Sequence, residues 1–99
     1  MATTPLIFNV VNISTSPVQV INTTTPLHGG IEIKASNGNA GYVYVGVTNT
    51  VTAGTVAATD GYELAAGQCV FLPSVEAPDA SGVYLISNTS NQRCSINAF

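Results

Sequence analysis

No window of this chain repeats apolar residues at the spacing of an amphipathic helix for three turns, and nothing else in the sequence constrains its fold as much. Apolar segments of five to nine residues recur along the whole length instead, each bounded by Gly, Pro, Asn or Thr. Short strands with turn signals about every ten residues build a sandwich or a barrel, whereas βαβ units need helical stretches between strands. The composition agrees. Val and Ile supply 19 of the 99 residues and Thr another 12, and such branched side chains suit a pleated, half-buried surface. The sequence therefore predicts one all-β domain over residues 1–99, a small antiparallel β-sandwich or barrel of six to eight strands. A chain of this length buries about 60–70% of its unfolded surface, enough for one modest core.

The first apolar run, Leu6 to Ile13, carries Leu6, Phe8 and Val10 on one face and Ile7, Val11 and Ile13 on the other, broken by Asn9 and Asn12. A strand apolar on both faces is covered on both, here by the core on one side and by a neighbouring subunit on the other. Beyond Pro17, Val18, Val20 and Asn22 alternate with Gln19, Ile21 and Thr23. Ile31, Ile33 and Ala35 alternate cleanly with Glu32, Lys34 and Ser36, which predicts a strand with one face in water. Asn37-Gly38 then predicts a positive-φ hairpin turn, returning through Tyr42 to Val47. Thr48 to Thr59 reads as an extended loop with a short strand near Val51 or Val56, closed by a turn at Asp60-Gly61. Further strands are expected at Gln68 to Leu72, Val83 to Ser87 and Arg93 to Phe99.

Charge narrows the function. The net charge is −3 and the cations are Lys34 and Arg93, so the basic surface that neutralises phosphates is missing. Neither nucleic acid nor an anionic membrane is an expected partner. The segment Met1-Ala2-Thr3-Thr4-Pro5 has no basic region, and no apolar run approaches the roughly 18 residues of a membrane span, so the reading is of a cytosolic product without a signal peptide. In that setting Cys69 and Cys94 are expected as two reduced, buried thiols on strands. Only 7% of the residues are charged, where free-living domains usually carry about 25%. A surface of amides, hydroxyls and methyls suits a subunit that stays in contact with neighbours.

The inventory for catalysis is thin. Acyl or phosphoryl transfer needs a nucleophile, a base and an orienting group in reach of one another, and the single histidine, His28, sits at a turn before Gly29-Gly30. Asp60 with Glu63, and Glu76 with Asp79, flank turns where carboxylates are normally solvated, and the Asp60-Gly61-Tyr62-Glu63 spacing matches no calcium loop that gathers six or more oxygens. There is no CxxC pair, HExxH helix or phosphate-cradling glycine loop. The expectation is a protein that is not an enzyme and holds no cofactor or metal.

Val43-Tyr44-Val45-Gly46, followed after a threonine-rich connection by Asp60-Gly61-Tyr62-Glu63-Leu64-Ala65-Ala66-Gly67-Gln68, resembles a pattern in small all-β virion proteins of tailed bacteriophages. There a strand of the form Ile/Val-Tyr-Val-Gly precedes a variable loop, then Asn/Asp-Gly, a hydrophobic anchor and Leu-x-Ala-Gly-Glu/Gln before the next strand. The likeness spans Tyr42 to Gln68, with Val47 where a second glycine often follows and Cys69 in the next strand. In this pattern Gly46 lets the strand kink or bulge, Asp60-Gly61 takes a positive-φ turn, Leu64 plugs the barrel end and Gly67 allows the reversal. The resemblance implies a capsid decoration or cement protein on the virion exterior, assembled in the host bacterial cytoplasm. It would bind the major capsid protein and form a homo-oligomer, a trimer or a dimer. A phage tail, neck or fibre component would share the same fold and composition, and a glycan-binding adhesive module, the other alternative, would show aromatic side chains lining one exposed face and would be monomeric. The expected capsid or subunit contacts are Thr3, Thr4, Pro5, Leu6, Ile7 and Phe8 of an N-terminal arm over residues 1–8, with Thr50, Thr52 and Thr55 of the threonine-rich loop. Leu6 to Phe8 reads equally as the first core strand, and the loop equally as solvated.

Overall fold

Alternation of branched apolar and small polar residues produces eight strands in the computed structural model, which describes residues 7–99. They are β1 (Ile7–Ile13), β2 (Val18–Gln19), β3 (Gly30–Ala35), β4 (Val43–Gly46), β5 (Tyr62–Leu64), β6 (Cys69–Pro73), β7 (Tyr84–Ser87) and β8 (Gln92–Ala98). A 3-10 turn, Ala80–Gly82, precedes β7 and is capped by the Asp79 carboxylate. One sheet has the order β1-β8-β3-β6 and the other β2-β7-β4-β5, with every neighbouring pair antiparallel. The chain is thus an antiparallel β-sandwich, and this interleaved order is that of an eight-stranded jelly roll.

The core follows from the period of two. Ile31, Ile33 and Ala35 of β3 are wholly buried while Glu32 and Lys34 face water. Cys94, Ile96 and Ala98 of β8 meet them in the same sheet, and Val43, Val45, Leu64 and Leu85 close the layer from the other. Each fully buried Ile, Leu or Val contributes about 1.5–3 kcal/mol. A smaller cluster lies on the opposite side of the second sheet, where Val51 packs against Tyr44 and Ile86.

The hairpin expected at Asn37-Gly38 does not form. β3 already has β8 on one side and β6 on the other, so no edge is left for β4, which pairs with β5 and β7 in the second sheet. Residues 36–42 instead carry the chain from one sheet to the other. They are held by Gln92, whose Oε1 accepts from Ala40 N at 2.7 Å and Gly41 N at 3.0 Å, and by a reciprocal pair in which Asn39 Nδ2 donates to Arg93 O and Arg93 N to Asn39 Oδ1. Among the described residues positive φ occurs at Gly30, Gly67 and Asn91, not at Asn37-Gly38 or Asp60-Gly61. Gly67, at φ 84°, makes the reversal into β6 as expected. Gly46 ends β4. A Cβ there would stand 2.6 Å from Val51, so its missing side chain is what admits the loop.

Two further expectations change. No strand forms near Val51 or Val56, where a single parallel bridge joins Thr52 to Asp60. Cys69 is exposed rather than buried, because it falls on the outward side of β6 opposite Lys34, whereas Cys94 points into the core. Both cysteines are free.

Candidate interaction surface

The ladder of β1 determines which of its groups are available. Gly30 and Phe99 exchange backbone bonds and Ser36 N donates to Arg93 O, so the odd-numbered residues of β8 bond toward β3. By antiparallel alternation the even-numbered residues of β8 bond toward β1, where they meet Ile7, Asn9, Val11 and Ile13. Phe8, Val10 and Asn12 therefore aim their N–H and C=O groups at the open edge of the sheet. Asn9 tends this edge: its Oδ1 accepts from Val10 N at 3.0 Å and its Nδ2 donates to Val20 O at 3.2 Å.

The outward side chains of this sheet form transverse rows. The cross-strand register aligns Phe8, Asn97, Glu32 and Phe71 in one, and Val10, Ser95, Lys34 and Cys69 in the next. Apolar groups stand at the two edges and polar groups between them. Phe71 is partly covered by stacking on Phe99, with ring centroids 6.2 Å apart. Phe8 and Val10 have no such cover among the described residues and are 72% and 59% exposed, flanking a shallow recess of about 380 Å³ beside Ser95. Exposure on that scale is large for side chains in regular structure. Ile7 and Phe8 open β1, while Thr3, Thr4, Pro5 and Leu6 lie outside the described residues.

The threonine-rich loop folds back on itself around one carboxylate. Thr59 donates to Thr52 and Thr52 to Asp60 Oδ1 at 2.7 Å, while Asp60 Oδ2 accepts from Val56 N and Ala57 N at 2.8 and 2.7 Å. The Thr52 hydroxyl, followed by the Ala57 and Val56 amides, holds the Asp60 carboxyl below its usual range. Val51 anchors the loop to the sheet, and Thr50, Thr52 and Thr55 face water, with Val56 fully exposed at the tip. The structure therefore keeps these threonines apart from the β1 face, on the opposite sheet. A single Asp closing a run of Thr and Ala is the signal in the sequence for this arrangement, although locally Asp60 reads as a turn residue or a solvated carboxylate.

Asp79 and the Tyr44–Glu63 pair also have structural partners. Asp79 is held below its usual range by the Thr25 amide and by the hydroxyl and amide of Ser81, tying residues 25–27 to the 3-10 turn. Burial, with help from its bond to Glu63 Oε2 at 2.9 Å, pushes the Tyr44 hydroxyl up to about 12. His28 sits exposed at a turn whose carbonyl accepts from Ser74 Oγ. Among the described residues no three His, Cys, Asp or Glu side chains gather where they could hold a metal ion. Comparisons with protein-family models, with curated proteins and with solved structures each give no match.

Proposed function

We propose that this chain is a non-enzymatic structural protein of a tailed-phage virion, a decoration or cement protein that binds the outside of the assembled head through the outward face of β1. The observation that carries the reading is the exposure of Phe8 and Val10 on a regular strand of a sheet whose centre is polar. Large apolar groups held outward at fixed positions mark a contact surface. Two features support it further. Jelly rolls recur in viral capsid domains, although a fold alone assigns no function. With seven charged residues in the chain, desolvating this surface against a subunit costs little electrostatically.

The mechanism is binding without chemistry. A protein that spans neighbouring capsid subunits binds the assembled shell and not its dissociated parts, so it shifts the equilibrium toward assembly by mass action. A rigid sandwich suits this role because its contact side chains are ordered before binding and little entropy is lost on docking. The test is co-sedimentation with purified assembled heads of the encoding phage. Saturable binding of the wild type and at least tenfold weaker binding of Phe8→Asp support the reading. Failure of the folded wild type to bind, or its absence from purified virions by mass spectrometry, overturns it.

A further inference from the structure

Natural sheets blunt their edges with very short strands, charges, prolines or covering loops, because an exposed row of backbone donors and acceptors templates pairing with another chain. Three of the four edges here are treated in this way. β2 has two residues, β5 has three and carries Glu63, and β6 ends at Pro73. β1 is the exception. It is seven residues long, with no charge and no proline, and its edge-facing residues Phe8, Val10 and Asn12 are exposed. We infer that this edge pairs antiparallel with β1 of a second copy, about a two-fold axis through Asn9, joining two four-stranded sheets into one of eight strands.

The register follows from the strand's own pattern. Bonded pairs across the new ladder must join residues whose backbone groups face the edge, which are Phe8, Val10 and Asn12. With the axis at Asn9, Phe8 pairs with the partner's Val10 and Val10 with the partner's Phe8, an aromatic against a β-branched side chain on the outward face. On the inward side Ile7 meets the partner's Val11, and the two Asn9 amides face each other. Moving the axis to Val10 sets Phe8 against Asn12 and Asn9 against Val11, mixing apolar with polar at both places. Over residues 7–11, the part of β1 that pairs with itself about Asn9, this register sets apolar side chains against apolar ones and Asn9 against its own image, with the reciprocity of an isologous interface. No charge of β1 opposes its image. The bond from Val10 N to Asn9 Oδ1 keeps that donor satisfied in the free chain and is exchanged for a ladder bond on pairing.

The pairing also brings two copies of Phe8 and Val10 together at the centre of one broad sheet, doubling the apolar patch assigned to the capsid. The pairing does not depend on the proposed capsid binding. Capsid binding is read in a separate assay, so either can fail alone.

The test is the mass of the full chain in solution by light scattering over a concentration series. The expected species is a dimer of twice the 10.1 kDa chain mass. Val10→Pro removes an edge-facing N–H that the β1–β8 ladder does not use, together with its exposed bond to Asn9 Oδ1, so it is expected to keep the wild-type circular dichroism and to shift the dimer's dissociation constant at least a hundredfold. Asn9→Cys in a Cys69→Ser background is expected to form an interchain disulfide on mild oxidation, since facing residues at the axis lie within bridging distance. This second variant decides the matter should Val10→Pro unfold. A wild type that is monomeric at every concentration, a folded Val10→Pro that dimerises undiminished, or an Asn9→Cys chain that forms no interchain bridge overturns the inference.

Discussion

Replacing Gln92 by Leu removes the pin that routes the chain from one sheet to the other, and the loss can be worked from the geometry. Gln92 is 4% exposed, and its amide makes three hydrogen bonds: Oε1 accepts from Ala40 N and Gly41 N, and Nε2 donates to Ser90 O at 2.8 Å. Leucine nearly preserves the volume, so cavity formation adds little. Each bond contributes about 0.5–1.5 kcal/mol net, which sets the loss at about 2–4 kcal/mol. That is a large share of the roughly 5–15 kcal/mol of a domain this size, and it lowers Tm by roughly 10–25 °C. Urea unfolding followed by circular dichroism reads the loss as a lower midpoint with an unchanged slope, because the surface exposed on unfolding stays the same. A Gln92→Leu protein within about 0.5 kcal/mol of wild type would refute the claim that this side chain holds the 36–42 crossover.

Three further outcomes follow from the same structure. Val51→Ala removes two methyl groups from the small cluster with Tyr44 and Ile86, where Val51 is 3% exposed, and costs about 1.5–2.5 kcal/mol by urea unfolding. Asp60 and Asp79 both have folded-state pKa values below the unfolded value of about 3.9. The stability they contribute is complete above that pH and disappears as pH falls through their folded values, so thermal stability drops below about pH 4 and the Asp60→Asn/Asp79→Asn protein drops less steeply. In the folded protein a thiol reagent labels Cys69 alone, while Cys94, its thiol pushed up to about 12 by burial, reacts only on unfolding; two rapid labels without denaturant would contradict the placement of Cys94.

What the sequence disclosed depended on whether the deciding contacts were local. The alternation from Ile31 to Ser36 placed β3 and its buried face correctly, because period two is written into adjacent residues. The hairpin after it failed for the opposite reason. Asn37-Gly38 is flanked by alternating apolar runs, yet sheet membership was settled by β6 and β8, far along the chain, which occupy both edges of β3. The folding of the threonine-rich loop was similarly hidden. Val51 looks like any other strand residue until Gly46 and Gly61 are seen to clear a space for it above Tyr44 and Ile86. The two-faced character of Leu6 to Ile13 was legible at once, and it marked Phe8 and Val10 as needing cover. That β1 lies at a sheet edge, with the backbone groups of those residues aimed outward, required the full strand order.

The central claim, that the outward face and open edge of β1 are where this protein meets its partners, is tested most directly by hydrogen exchange. The amides of residues 7–13 would be followed in the dilute chain, the concentrated chain and the chain bound to assembled heads. The edge-facing amides of Phe8, Val10 and Asn12 are expected to exchange rapidly when dilute and to slow by at least tenfold in both associated states, while those of β3 stay slow throughout. Association that leaves the β1 amides unchanged and protects another segment instead would contradict that claim.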